Sequence, residues 1–426
     1  MTTKTNARVE VYVNKNQKKM RCGMTTGSCC SIAAKAATKK LLLGIDVTQE
    51  TIMTPKGISI SVPVNLVEIA QEEVIAQVFK DSGDDPDVTN GMEVLVAVSY
   101  LNDEDESNVS AMDLNESIDS KGLEQSETSK NKLYFADSEF PNIYLDGGIG
   151  VGRITKEGLE QKIGFAAINK VPRRMIMSHV KEIMDIADIS KPILVTIIFP
   201  EGAKLAKRTF NPQLGIVDGI SVLGTSGIVE PMSEKALIDT IEVEIKQKQA
   251  EGMKNIILMP GNYGQTYVQE ELQLSLQKSV KCSNYVGESI DLCISYGMEH
   301  VLLVGNMGKF VKLAAGIMNT HSKVADGRME ILALHTYLCG GTKEDVDFIL
   351  QSINTEGVVA YLKDHDLLTV VMDSICQKIE QHVKRRAGDC LKIGVYVFSE
   401  NHHLIGKTSD ADTIKDLIIG EDKMRL

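Results

Sequence analysis

The chain has 426 residues, 43% of them hydrophobic and 24% charged, a length that exceeds one ordinary core and predicts two domains, 1–232 and 233–426. Its net charge of −12 excludes broad nucleic-acid binding, which needs a basic surface. No apolar run approaches a bilayer span, the first nine residues carry no apolar signal core, and eight scattered cysteines lack zinc-ligand spacing, so a reduced cytoplasm, no membrane and no protein-held metal are expected.

In chain order, an extended segment from Val9 to Val13 precedes Arg21-Cys22-Gly23-Met24-Thr25-Thr26-Gly27-Ser28. A helix rich in Ala and Lys is predicted from Ser31 to Leu43, with Ser28 or Thr26 as its N-cap, because a hydroxyl there can accept from the free first-turn amides. Strands are predicted at Thr51 to Ile52, Ile58 to Val64, Val74 to Lys80 and Met92 to Tyr100. Between the last two, Asp81-Ser82-Gly83-Asp84-Asp85-Pro86-Asp87 offers four carboxylates in seven residues without EF-hand spacing. It reads as a solvated turn whose Asp side chains cap backbone amides, with a divalent-metal loop of oxygen ligands as the alternative.

Residues 102–132 hold nine acids against three lysines, a net −6, and their Ser, Asn and Asp content predicts a disordered insertion. Asn142 to Tyr144 then leads into Gly147-Gly148-Ile149-Gly150-Val151-Gly152-Arg153, either a flexible turn or an anion cradle. A helix around Arg173 to Asp188 and a strand at Ile193 to Phe199 follow. Strands and helices out of strict alternation make this first domain α+β.

The second domain opens on a helix from Ser233 to Glu251. An apolar strand, Asn255 to Met259, runs into Pro260-Gly261-Asn262-Tyr263-Gly264. After a helix at Val286 to Tyr296, a second strand, His300 to Val304, runs into Gly305-Asn306-Met307-Gly308-Lys309 and a helix at Phe310 to Met318. The last strand is predicted at Lys392 to Phe398. Strand, Gly loop and helix in repetition imply an α/β domain with a parallel sheet. Ligands bind at the carboxyl ends of such strands, where glycine lets them approach the backbone. Neither loop is a dinucleotide fingerprint or a Walker A loop, and tight turns remain the alternative reading. No histidine has metal-ligand spacing and no nucleophile elbow is present; His321, just past a predicted helix and ahead of Asp326 and Arg328, is the histidine singled out.

Read as ordered blocks, these segments resemble the cobalt-precorrin-5B C-methyltransferase (CbiD) family. The blocks are Arg21 to Cys29, Lys80 to Gly91, Gly147 to Leu159, Ala167 to Arg173, Thr209 to Met232, Cys282 to Glu288 and Gly305 to Glu330. The longest reads Thr-Phe-Asn-Pro-Gln-Leu-Gly-Ile-Val-Asp-Gly-Ile-Ser-Val-Leu-Gly-Thr-Ser-Gly-Ile-Val-Glu-Pro-Met. This chain departs from the family pattern in carrying Asn90 and Asn306 where histidine is often found, which counts against a proton-transfer role at either position.

The resemblance implies methyl transfer from S-adenosylmethionine to C-1 of a contracted cobalt macrocycle, giving cobalt-precorrin-6A in anaerobic cobalamin biosynthesis. It implies a two-layer, sandwich-like α/β N-terminal domain and a Rossmann-like, three-layer C-terminal one. It names no catalytic residue, and cobalt arrives only within the substrate. The methyl donor is expected at Gly261, Asn262, Gly264, Gly305, Asn306 and Gly308. The macrocycle's carboxylates suit arginine forks, so Arg21, Arg153, Arg173, Arg174 and Arg328 are the expected clamps, with Lys309, Lys312 and His321 beside them. The partner so implied is the small-molecule corrinoid; homo-oligomerisation and transfer to neighbouring pathway enzymes stay open. Two rivals stand beside this reading: a non-catalytic corrinoid-binding protein of the same pathway, and an enzyme using a phosphorylated ligand at the Gly loops.

Overall fold

The computed structural model describes residues 9–15, 18–70, 72–101, 133–261, 263–401 and 403–425. The insertion at 102–132 and Asn262 lie outside the described residues. The chain divides into two compact units, one ending at Ser233 and the other beginning at Glu234.

In the first unit β1 (Asn65–Ile69), β2 (Glu73–Phe79), β3 (Glu93–Tyr100), β4 (Ile143–Gly147) and β5 (Ile193–Ile198) form one sheet in the order β1-β2-β3-β5-β4. Neighbours are antiparallel except β5 and β4, which run parallel. In β2 the residues Val74, Ala76 and Val78 are buried while those between them are partly exposed, the alternation of a sheet with one covered face. Two 18-residue helices, α1 (Thr26–Leu43) and α2 (Lys170–Ala187), pack against each other, and α1 lies on β2 and β3. Ala33, Ala34, Ala36 and Ala37 are wholly buried, so α1 is covered nearly all round, and small side chains let it fit between sheet and helix.

Helix α1 begins five residues before the predicted start. Thr25, not Ser28 or Thr26, is its N-cap, and the Thr25 hydroxyl accepts from the Ser28 amide at 3.2 Å. The Gly27 amide donates to the Leu223 carbonyl at 3.0 Å. Tertiary contacts from the 221–227 loop thus recruit a polar, Gly-containing segment into the helix. The Gly147–Gly152 run is a crossing of chains. A Cβ on Gly150 would lie 1.9 Å from the Phe199 carbonyl oxygen, and one on Gly219 would lie 2.2 Å from the Gly150 oxygen. The Gly148, Val151 and Gly152 amides donate to the Ile197, Gly148 and Ile220 carbonyls at 2.7, 3.2 and 3.0 Å, so these three donors are not free to cradle an anion.

The Asp81–Asp87 turn caps amides as predicted, but its base is buried. Lys80, its side chain 2% exposed, donates to Asp87 Oδ2 and to Ser82 Oγ, each at 2.5 Å. Asp87 Oδ1 accepts from the Thr89 amide at 2.8 Å, and the Asp81 carboxylate from the Gly83 amide at 2.9 Å.

In the second unit β6 (Asn255–Met259), β7 (Ser279–Lys281), β8 (His300–Asn306), β9 (Lys392–Phe398) and β10 (Leu404–Lys407) form a sheet in the order β7-β6-β8-β9-β10. All pairs are parallel except the antiparallel edge strand β10. Ile256, Leu258, Val301, Leu303, Ile393 and Val395 join one apolar core, and Ile257, Met259, Leu302, Val304, Tyr396 and Phe398 join another. Both faces of the sheet are therefore covered, which is why its strands read as unbroken apolar runs. Among the helices, α3 (Glu234–Ala250), α4 (Val286–Ser295) and α8 (Leu368–Ala387) contribute to the first core, and α9 (Ala411–Arg425) to the second. Between α4 and α8 lie α5 (Arg328–Leu338), α6 (Lys343–Gln351) and α7 (Thr355–Asp364).

The predicted helix at Phe310 to Met318 is instead a four-residue helix, Met307–Phe310, continued by a 3-10 turn, Val311–Ala315. Gly316, at φ 75°, closes it in the left-handed region and stops an α-helix from running on. Lys392–Phe398 is not the last strand, since β10 follows it.

The Lys80–Asp87 pair yields a stability test. Burial pushes the Asp87 carboxyl up, but the Lys80 charge and hydrogen bond, with the Thr89 amide and hydroxyl, outweigh burial and hold it below the usual carboxylate range. Its stabilisation is therefore complete above the unfolded carboxyl pKa of about 3.9 and lost as pH falls through the lower native value. Asp87→Asn should cost about 3–5 kcal/mol in a urea melt at pH 7, because it leaves the Lys80 ammonium buried without its counter-ion. The difference from the parent protein should shrink as the melt is repeated toward pH 3.

Candidate functional site

Strand β6 comes first in sequence in its sheet, yet lies between β7, the second, and β8, the third. The connections leaving β6 and β8 therefore run to opposite sides, and such a switch point opens a crevice at the carboxyl ends of the strands. Gly261, two residues past Met259 at the end of β6, has φ 104°, a backbone state that side chains other than glycine's rarely adopt. A Cβ placed there would lie 3.7 Å from Lys309 Nζ, so the loop after β8 reaches the loop after β6. Lys309 Nζ also points to the Ser283 carbonyl beyond β7, at 3.5 Å. Three strand ends thus converge on one ammonium.

The remaining loop residues divide by role. A Cβ on Gly264 would lie 2.5 Å from Met259 Cβ, and one on Gly305 would lie 2.7 Å from the Phe310 ring. Both glycines are demanded by packing inside the unit. Gly308 is more open: its Cβ would meet only Thr355 Oγ1 at 3.3 Å and Asn306 Oδ1 at 4.0 Å. The Asn306 side chain accepts from the Lys309 amide at 3.3 Å as a helix cap. Asn262 lies outside the described residues.

Below this edge Lys312 is 1% exposed and donates to the Thr320 and Ala325 carbonyls at 3.1 and 2.8 Å. It pins the 320–325 loop from within and presents no charge to a ligand. The Thr320 amide in turn donates to the Asn284 carbonyl at 2.9 Å, which ties this loop to the segment after β7. His321 is exposed, and its Nδ1 accepts from the Lys323 amide at 3.0 Å. Arg328 forms a fork on Asp326, at 2.7 and 2.9 Å, with both side chains partly exposed. The hydrogen bond from Arg328 holds the Asp326 carboxyl below its usual range.

The structure does not gather the arginines of the first unit onto one free surface. Arg21 forks onto Asp81, and Arg153 forks onto Asp146 and reaches the Gly147 carbonyl. Arg174 pairs with Glu139 in an exposed bridge. Arg173 is 3% exposed, donates to the Ile168 carbonyl at 3.0 Å and to Glu160 at 3.1 Å, and lies 4.4 Å from the Phe135 ring. It serves the fold of α2. Ser283, Asn284 and Thr355 were not singled out from sequence; the Cys282 to Glu288 block held the signal for the first two.

Among the described residues, no group of three or more His, Cys, Asp or Glu side chains could hold a metal ion, and no helix is long and apolar enough to cross a membrane. A cleft of about 260 Å³ in the first unit, lined by residues including Asn142, Lys181, Met184 and Asp188, contains none of the candidate residues.

Comparison with known proteins adds the family. The CbiD family model matches residues 13–231, and the model of the CbiD C-terminal domain matches residues 319–409. A relative from Ruminiclostridium cellulolyticum is 39% identical over 97% of this chain and 100% of its own length. One from Clostridioides difficile is 35% identical over 96% of this chain and 100% of its own, and one from Clostridium botulinum is 40% identical over 91% and 96%. All three bear the name cobalt-precorrin-5B C(1)-methyltransferase. A crystal structure described as cobalamin biosynthesis protein (cbiD) from Archaeoglobus fulgidus is 23% identical and covers 75% of this chain and 87% of that one; its TM-score of 0.36 is too low to bear on the fold.

The loop geometry separates glycines required by packing from those with open space beside them. Gly305→Ala drives a methyl group into the buried Phe310 ring and should lower stability by about 1–3 kcal/mol in a urea melt. Gly308→Ala, which need displace only the Thr355 hydroxyl, should cost less.

Proposed function

The chain belongs to the CbiD family, and on that premise we propose that it methylates C-1 of cobalt-precorrin-5B, with S-adenosylmethionine as donor, to give cobalt-precorrin-6A in anaerobic cobalamin biosynthesis. The observation that carries the reaction is near-full-length identity of 35–40% to relatives bearing that activity as their name. The parallel sheet with both faces covered supports a Rossmann-like reading of the second unit, and the switch point beside Gly261, Asn306 and Gly308 supports placing the donor there.

S-adenosylmethionine supplies a methyl group already activated on a sulfonium. What remains for the chain is proximity and orientation, which are worth up to roughly 7–11 kcal/mol when reacting groups are held in line. Among the described residues of this edge no hydrogen-bonded nucleophile–base pair is found, which accords with that demand. At this edge Gly261 and Gly308 leave backbone accessible to a nucleoside, and Gly264 and Gly305 hold their loops tightly against the unit. His321 stands on the loop pinned by Lys312, Arg328 opens the helix α5 just past that loop, and both are assigned to the macrocycle's carboxylates. The Arg328–Asp326 pair is partly exposed, so a substrate carboxylate can replace Asp326 at little cost. Arg173 is left out of this assignment, since its guanidinium is engaged inside the first unit.

Incubating the full chain with cobalt-precorrin-5B and methyl-labelled S-adenosylmethionine should give a labelled product one methyl group heavier and an equal amount of S-adenosylhomocysteine. Corrinoid binding without any S-adenosylhomocysteine formed would replace this reading with that of a carrier. Saturable binding of ATP or NAD(P)H, with none of the methyl donor, would favour the phosphorylated-ligand enzyme. Arg328→Ala should raise the corrinoid KM about ten- to a hundredfold, the range of one or two charge-assisted hydrogen bonds, and leave the urea melt nearly unchanged.

A further inference from the structure

Lys309 differs from the other candidate cations in its surroundings. The five candidate arginines each pair with a carboxylate, and Lys312 is held by two backbone carbonyls. Lys309 is half-buried, and among the described residues its ammonium has only the Ser283 carbonyl, at 3.5 Å. That distance is at the outer limit of a hydrogen bond. The titratable groups that bear on it are the buried Cys282 thiol, pushed up to about 12 by burial, and the Lys312 ammonium. Neither is an anion at neutral pH. Burial accordingly holds the Lys309 ammonium below its usual range.

A partly desolvated cation without a counter-ion is costly unless a ligand supplies the missing charge. Its location restricts that ligand. Lys309 stands at the switch point, beside the accessible backbone of Gly261, where the ends of β6, β7 and β8 meet. A ligand that lays its nucleoside along the glycine loops brings one further group within reach of this ammonium. Resting on the proposed placement of the donor, we infer that Lys309 is the receptor for the carboxylate at the donor's amino-acid end, and so belongs to the donor site and not to the macrocycle's.

The test compares S-adenosylhomocysteine with 5′-methylthioadenosine, which keeps the nucleoside and thioether but lacks the amino-acid end. Titration calorimetry on the full chain should show Lys309→Met binding S-adenosylhomocysteine at least tenfold more weakly. Binding of 5′-methylthioadenosine should stay within about twofold, and Lys309→Arg should recover part of the loss. Urea melts of both variants establish that they are folded, and Lys309→Gln serves if Lys309→Met is not. Equal losses for both ligands would overturn the assignment and make Lys309 a support of the loop. An unchanged S-adenosylhomocysteine affinity with a raised KM for the corrinoid would overturn it too, by giving the carboxylate to the macrocycle. Gly261→Val separates this inference from the placement beneath it. If Gly261→Val weakens S-adenosylhomocysteine binding and Lys309→Met does not, only the Lys309 inference falls. If neither does so, the donor lies elsewhere and both fall.

Discussion

In the second unit the first strand of the sheet lies between the second and the third, and the site follows from that order. A connection from β6 to β7 must leave one side, and the chain beyond β8 must leave the other. Between them no crossover covers the carboxyl ends. Loops from separate strands are brought within a few ångströms there. The 3.7 Å approach of Lys309 Nζ to the position of a Gly261 Cβ is one outcome, although the two residues are 48 positions apart. No local sequence signal could encode that approach, because it exists only once the parallel register of β6 and β8 is set.

Three lysines with little exposure show how differently the chain treats a desolvated cation. Lys80 has the Asp87 carboxylate and the Ser82 hydroxyl, both at 2.5 Å, and holds the base of an acidic turn. Lys312 has two carbonyls and ties a loop to the unit's interior. For both, removing the partner would leave a buried charge, so they are structural. Lys309 has one distant carbonyl, and its charge is oriented toward open backbone. The energetic argument that makes the first two structural is the argument from which a binding role for the third is proposed.

Strands with continuous β-branched or apolar residues were legible: Asn255–Met259 and Lys392–Phe398 were placed to the residue. So was the mixed α/β character of the chain. The start of α1 was not, because Thr26, Gly27 and Ser28 have weak helix propensity and are held helical by the 221–227 loop. The helix expected after Lys309 failed for a local reason, the left-handed Gly316, which could have been weighed from the sequence as a stop. Helices α5 to α8 were not read at all: apart from the first three residues of α5, they lie past the last block of the resemblance, Gly305 to Glu330. Within the site, glycine identity was legible but glycine role was not. Whether a missing Cβ makes room for Phe310 or for a ligand is a fact of packing.

The arginine clamps are the sharpest case, and charge explains them. The chain carries 58 acids against 46 lysines and arginines, so a random arginine on its surface is more apt to meet a carboxylate than to remain free. Arg21, Arg153, Arg173, Arg174 and Arg328 all do so. A polycarboxylate substrate must then either displace such an acid or bind where acids are absent. Displacement costs little at an exposed pair such as Arg328–Asp326 and much at Arg21–Asp81, whose side chains are 20% and 15% exposed. An acidic enzyme with anionic ligands therefore has to concentrate binding at positions where acids have been kept away. Among the described residues no carboxylate is found acting on Lys309, so the edge around it fits that requirement, and local charge rather than the net charge of the chain is what bears on an anion there.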